Sequence, residues 1–160
     1  MKRPIVGIVL VLAACTQRAT PTADPAAGSD QPSRPQQPPV AGAPAASMSS
    51  GTAFVDGVLA AWCTGKSCKP GTAARPKFVP GDDNGVVLFE LGARPDAARV
   101  EVHTSAGALV ARGEMLPGTT MAYQTKLGDG RFIFTLYARW GNREGRWLFG
   151  VDGPLGGTKR

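Results

Sequence analysis

The chain has 160 residues, with 18 Lys and Arg against 12 Asp and Glu, three cysteines and one histidine. This length holds one domain with room for appended segments. The formal charge of +6 is dispersed and forms no strong basic stripe, which argues against nucleic acid as a partner, and a catalyst of the Ser-His-Asp or Cys-His type would have only His103 to use.

At the start, Lys2 and Arg3 supply a positive n-region, and Ile5 to Val11 form an apolar run too short to span a bilayer as a mature helix. Leu12-Ala13-Ala14-Cys15 resembles a bacterial lipobox, where signal peptidase cuts before a lipid-modified cysteine. The resemblance implies a signal peptide over 1–14, lipid on Cys15, and a bacterial cell-envelope protein tethered to the membrane outside the cytoplasm. Thr16 stands where an Asp would resemble an inner-membrane retention signal, so in a two-membrane bacterium the expected address is the outer membrane.

Thr16 to Ser50 is dominated by Pro, Ala, Ser, Thr and Gln and holds no aromatic residue. Such a segment buries too little apolar surface to offset its conformational entropy, so residues 15–50 are expected as the lipidated cysteine followed by a disordered linker. Its reach lies between roughly 30 Å as a coil and about 110 Å as polyproline II. All the aromatic residues follow Gly51, which places one domain over 51–155 and a tail over 156–160. After Gly51 there are 14 Lys and Arg against 10 Asp and Glu, and Arg139, Arg143 and Arg146 cluster locally.

Strand patterns dominate the domain, and Gly and Pro interrupt it often. Phe54 to Trp62 reads as a strand broken near Asp56-Gly57, with a helical turn over Val58 to Trp62 as the alternative. Val86 to Leu91 is a dense apolar run. Arg99 to His103 alternates, Ala108 to Glu114 follows the Ser105-Ala106-Gly107 turn, and Thr119 to Lys126 extends after Pro117-Gly118. The strongest strand is Arg131 to Trp140. Phe132, Phe134, Leu136, Ala138 and Trp140 share one face, and Ile133, Thr135, Tyr137 and Arg139 the other. Gly141 to Gly145 then turns the chain, and Arg146 to Asp152 returns with Trp147, Phe149 and Val151 on one face, forming a hairpin with a longer loop. Strands spaced near ten residues indicate an antiparallel sandwich or barrel.

Two stretches carry a resemblance. Ala61-Trp62-Cys63-Thr64-Gly65-Lys66-Ser67-Cys68 is similar to a Cys-x4-Cys hairpin of small secreted bacterial domains. Gly130-Arg131-Phe132-Ile133-Phe134, Ala138-Arg139-Trp140 and Trp147-Leu148-Phe149-Gly150-Val151 are similar to their closing hairpin. Over residues 56–153 the chain thus resembles immunoglobulin-like lipoprotein domains, which implies an all-β, antiparallel immunoglobulin-like β-sandwich and no particular activity.

With Cys15 assigned to lipid, Cys63 and Cys68 remain as an even pair in an exported domain, and a disulfide is expected. A lone Cys-x4-Cys lacks further zinc ligands and the redox Cys-x2-Cys spacing. His103, Met115 and Met121 form an alternative set, since imidazole and thioether suit copper. Asp82-Asp83-Asn84-Gly85 lacks the spaced acidic pattern of a calcium loop and reads as a polar turn. Glu90, Glu101, Glu114 and Glu144 assign no glycosidase pair. Gly153 to Gly157 reads as a frayed end. Trp140, Tyr137, Trp147 and Phe149 suggest either core packing or a carbohydrate platform. Core is favoured for Trp140 and Trp147, while Tyr137 and Arg139 are the candidates for a surface contact.

The expected function is therefore a lipid-anchored, non-enzymatic envelope module that binds or scaffolds an envelope protein or glycan, without a cofactor. The alternative is an exported copper carrier using His103, Met115 and Met121.

Overall fold

The structure, a computed structural model, describes residues 42–157. The signal peptide expected over 1–14, Cys15, residues 16–41 of the expected linker and residues 158–160 of the tail lie outside the described residues.

Alternation organises the chain into eleven strands and no helix among the described residues: β1 (Ala46–Ser50), β2 (Ala53–Asp56), β3 (Val58–Thr64), β4 (Ser67–Pro70), β5 (Phe78–Pro80), β6 (Val86–Leu91), β7 (Ala97–Thr104), β8 (Leu109–Met115), β9 (Thr120–Gln124), β10 (Arg131–Trp140) and β11 (Arg143–Asp152). They form two sheets. The smaller runs β2-β1-β6-β9. The larger runs β4-β3-β11-β10-β7-β8, with β5 beside the end of β11. Pairing is antiparallel except for β5, which lies parallel to Gly150–Asp152. The fold is the all-β antiparallel sandwich that the strand spacing predicts.

The inner faces meet in one core. Phe132, Phe134, Leu136 and Ala138 of β10 turn inward and are buried. In register beside them, Trp147 opposes Leu136, Phe149 opposes Phe134 and Val151 opposes Phe132. From the smaller sheet, Phe89 packs its ring 5.4 Å from Phe149 and 6.3 Å from Phe134. Val87, Met48 and Met121 complete this layer. Each large side chain buried this way contributes about 1.5–3 kcal/mol. Trp140 packs 5.8 Å from Trp62 and 6.1 Å from Trp147, so the three tryptophans form the end of the core and not a carbohydrate platform.

Four expectations need correction. First, Ala46–Ser50 is not linker: it is β1, an interior strand of the smaller sheet, paired to both β2 and β6. Met48 is its one large inward side chain, and Ala46, Ser47 and Ser50 are small enough to be buried beside it. Second, Phe54 to Trp62 is two strands in different sheets, and the helical alternative over Val58 to Trp62 is strand β3. Gly57 makes the crossing: a Cβ there would lie 2.7 Å from the Phe149 ring, and Gly57 N donates to Ala46 O. Third, the loop before β11 has two residues, not five, because Trp140 pairs with Arg143. Gly141 at φ 56° and Gly65 at φ 59° each open a two-residue turn, and no non-glycine residue among the described residues has positive φ; this is the II′ pattern that suits the twist of a hairpin. Fourth, the chain after Gly153 is not frayed as far as Gly157. Leu155 is fully buried and bridges to Leu127, and Gly156 N donates to Asp82 O.

Candidate functional site

Period-2 alternation that fills the core also places every second residue of β7, β8, β10 and β11 on the outer face of the larger sheet. Register then lines them up in rows. Tyr137 on β10 has Arg99 of β7 as its neighbour on one side and Arg146 of β11 on the other. Glu114 of β8 continues the row beyond Arg99. The next row carries Arg139, with Glu144 on one side and Ala97 on the other.

The two arginines close on the tyrosine ring from its two flanking strands. Arg99 Cζ lies 3.9 Å from the ring centroid and Arg146 Cζ 4.8 Å, both within cation–π range. Tyr137 Oη donates to Glu101 Oε2 at 2.9 Å, and Arg99 Nη1 donates to Glu101 Oε1 at 2.7 Å. Glu101 thus accepts from both members of the stack. These contacts, the tyrosine hydrogen bond first and then Arg99, with His103 adding positive charge, outweigh burial and hold the Glu101 carboxyl below its usual range. Tyr137 moves the opposite way: burial and the hydrogen bond to a carboxylate raise its hydroxyl above its usual value. An exposed Arg–Glu pair alone stabilises little. Joined to a ring and a second guanidinium, it fixes the orientation of four side chains.

Beside this stack lies an open depression of about 240 Å³, lined by Ala97, Arg99, Glu114, Tyr137, Arg139 and Glu144. Ala97 leaves the space because it stands where the rest of its row carries long side chains. Arg139 is exposed, and although Glu144 is its cross-strand partner, no ion pair among the described residues engages either. The chemistry on offer is recognition: planar guanidinium groups that fork onto carboxylate or phosphate oxygens, next to carboxylates that select against a purely anionic surface.

The expected surface contacts, Tyr137 and Arg139, therefore fall in this site. Arg99, Glu101, Glu114, Glu144 and Arg146 complete it without having been singled out for it. Their signal was the charged residue at every second position of Arg99-Val100-Glu101 and of Glu144-Gly145-Arg146. Cys63 and Cys68 form the expected disulfide as direct cross-strand partners, with Cα atoms 3.9 Å apart. The Asp82-Asp83-Asn84-Gly85 segment is the expected polar turn, closed by Gly85 N donating to Asp82 O.

The copper set does not assemble. His103 lies on the outer face, between Ile133 and Leu109 in register. Met115 and Met121 are buried in the core. Met115 pairs with Ala98, five residues along β7 from His103, or about 17 Å at the rise of a strand. Alternation separates the ligands by face as well as by distance. Among the described residues no group of three or more His, Cys, Asp and Glu side chains is placed to hold a metal ion. Nor is any described helix long and apolar enough to cross a membrane.

No family model, no curated protein and no solved structure matches the chain.

Proposed function

We propose that this chain is a lipid-anchored protein of the bacterial cell envelope, non-enzymatic, which presents its sandwich as a binding or scaffolding module. The anchor rests on Lys2-Arg3, the apolar run after it and Leu12-Ala13-Ala14-Cys15. Acylation of Cys15 with two or more chains suffices for stable attachment. The outer membrane is the address if the source has two. We read the sandwich as immunoglobulin-like, on the strength of its two face-to-face antiparallel sheets and the Trp62-Cys63 strand beside the closing hairpin.

The observation that carries the binding role is Tyr137 held between Arg99 and Arg146, beside the unpaired Arg139. Side chains already fixed in place lose little entropy on binding. The partner class that fits is an envelope protein or glycan bearing carboxylate or phosphate groups. The test uses the full chain carrying Cys15→Ala, so that lipid does not obscure the contact. This variant should leave the membrane fraction or remain an unprocessed precursor; if it fractionates and migrates like the parent, the anchor reading fails. Co-sedimentation with washed envelope fractions then measures the contact. Arg139→Ala and Tyr137→Ala should each weaken it roughly tenfold. Retention equal to the unsubstituted face overturns the assignment of this surface.

A further inference from the structure

The larger sheet ends in β8, seven residues long and the longest strand edge left without a partner among the described residues. The opposite edge, β4, has four residues including Lys69 and Pro70, which blunt further pairing. β8 holds neither Lys nor Pro, and its one irregularity is a bulge at Val110 near its start, which leaves Ala111 to Met115 in regular register with β7. Leu109 and Val110 are 50% and 44% exposed, and Leu116 just beyond the strand is 91% exposed.

The backbone direction of this edge follows from the hydrogen bonds around β7. Ser105 N donates to Arg131 O on the β10 side, and Thr104 N donates to Ala108 O on the β8 side. By alternation Val102 and Val100 face their backbone groups toward β8, where Ala111 and Gly113 answer them. Arg112 and Glu114 therefore direct their N–H and C=O groups away from the sheet. Their side chains are exposed on its outer face.

We propose that β8 pairs antiparallel with β8 of a second copy of this chain, about a two-fold axis through Gly113. In that register Arg112 opposes the second copy's Glu114, and Glu114 its Arg112, so both hydrogen-bonded positions carry opposite charges. Val110 opposes Leu116, which brings together the exposed apolar side chains at each end. Gly113 opposes itself at the axis and adds no side chain of its own, and the Tyr123 ring packs beneath it on the inner face. Centring the pair on Arg112 or on Glu114 sets like charges against each other, which disfavours those registers. The interface is isologous and closes as a dimer. The larger sheets become one continuous sheet with both Tyr137 faces on the same side, which, if that face is the binding surface proposed above, makes the dimer bivalent.

The experiment is sedimentation velocity on the full chain in detergent, over a concentration series, with far-UV circular dichroism to verify folding. Arg112→Glu places Glu opposite Glu114 twice and should raise the dimer dissociation constant roughly tenfold or more. Glu114→Arg should do the same. The double variant R112E/E114R restores both pairs and should restore the dimer. Register is read by cross-linking: a mixture of Arg112→Cys and Glu114→Cys chains should form a disulfide-linked heterodimer. Neither should bridge alone, because like positions sit about 8 Å apart, beyond disulfide reach. A parent chain that stays monomeric into the millimolar range overturns the proposal. So does a dimer indifferent to R112E, or one whose single-cysteine chains cross-link as well as the mixture.

Discussion

Replacing Gly145 with Ala tests how tightly the end of the core is filled. Gly145 and Trp147 stand on the same inward face of β11, two residues apart. A Cβ on Gly145 would lie 2.0 Å from Trp147 Cη2, 2.4 Å from Cζ3 and 2.9 Å from Cζ2. Carbon atoms pack at about 3.5–4.0 Å, so the ring must retreat by more than 1 Å. Trp147 is 2% exposed, and the Trp140 ring stands edge-on to it with centroids 6.1 Å apart. The ring has no open side to move into. Overpacking of this kind costs about 1–3 kcal/mol and here should fall at the upper end, near 3 kcal/mol. For a domain this size that is a fall in Tm of roughly 10–15 °C. Trp147→Phe removes the atoms that collide but leaves a cavity, at about 2 kcal/mol. Urea unfolding followed by far-UV circular dichroism gives all four corners of the double-mutant cycle. The double variant G145A/W147F should be less destabilised than the sum of the singles by at least about 1 kcal/mol. Additive losses, or a Gly145→Ala protein as stable as the parent, would refute the steric argument.

Three further outcomes follow from the same geometry. Replacing both Cys63 and Cys68 with Ser should lower stability by about 2 kcal/mol without unfolding the domain, since the bridge closes only a short ring; mass after alkylation without reductant should show no free thiol in the parent's pair. Leu155→Ala should cost about 2–4 kcal/mol in urea unfolding, because Leu155 is fully buried; an exposed tail residue would cost almost nothing. Tyr137→Phe should raise the Glu101 carboxyl pKa in an NMR titration. Glu101 titrates below its ordinary value in the fold, so its stabilisation is present above that ordinary value and fades as pH falls through the lowered one. The Phe variant should lose less stability on acidification through that window, and an unchanged Glu101 titration would contradict the hydrogen bond.

The elements easiest to read in the sequence were those whose side chains alternate in size and polarity. β6 and β10 have the bounds that their patterns predict, Val86–Leu91 and Arg131–Trp140. β1 is hard to read because Met48 is the one large side chain among its five residues. Ala-Ser-Met-Ser-Ser fits between two neighbours because it is small, and small residues beside prolines look like linker. Leu155 carries one apolar contact between glycines, too little for periodicity to register. The closing turn reads as longer than it is because Arg143 and Glu144 are polar, yet as the exposed start of a strand they pair with β3 and β10 as fully as the aromatic residues after them. The candidate site was half legible. Tyr137 and Arg139 followed from strand faces alone, whereas Arg99, Glu101 and Arg146 belong to neighbouring strands, and only register brings them beside the ring.

The interior position of β1 has a mechanical consequence. The chain enters at Ala46, opposite Leu91 at the end of β6, and leaves near Gly156, bonded to Asp82 close to where β6 begins. Tension applied between Gly42 and Gly157 therefore pulls β1 lengthwise past β2 and β6. The hydrogen bonds on both its sides bear that load together and must break nearly at once, whereas a strand peeled from an edge gives up its bonds one at a time. Pulled by these two points, the domain holds in shear, and its resistance is set by a strand of five residues, four of them small.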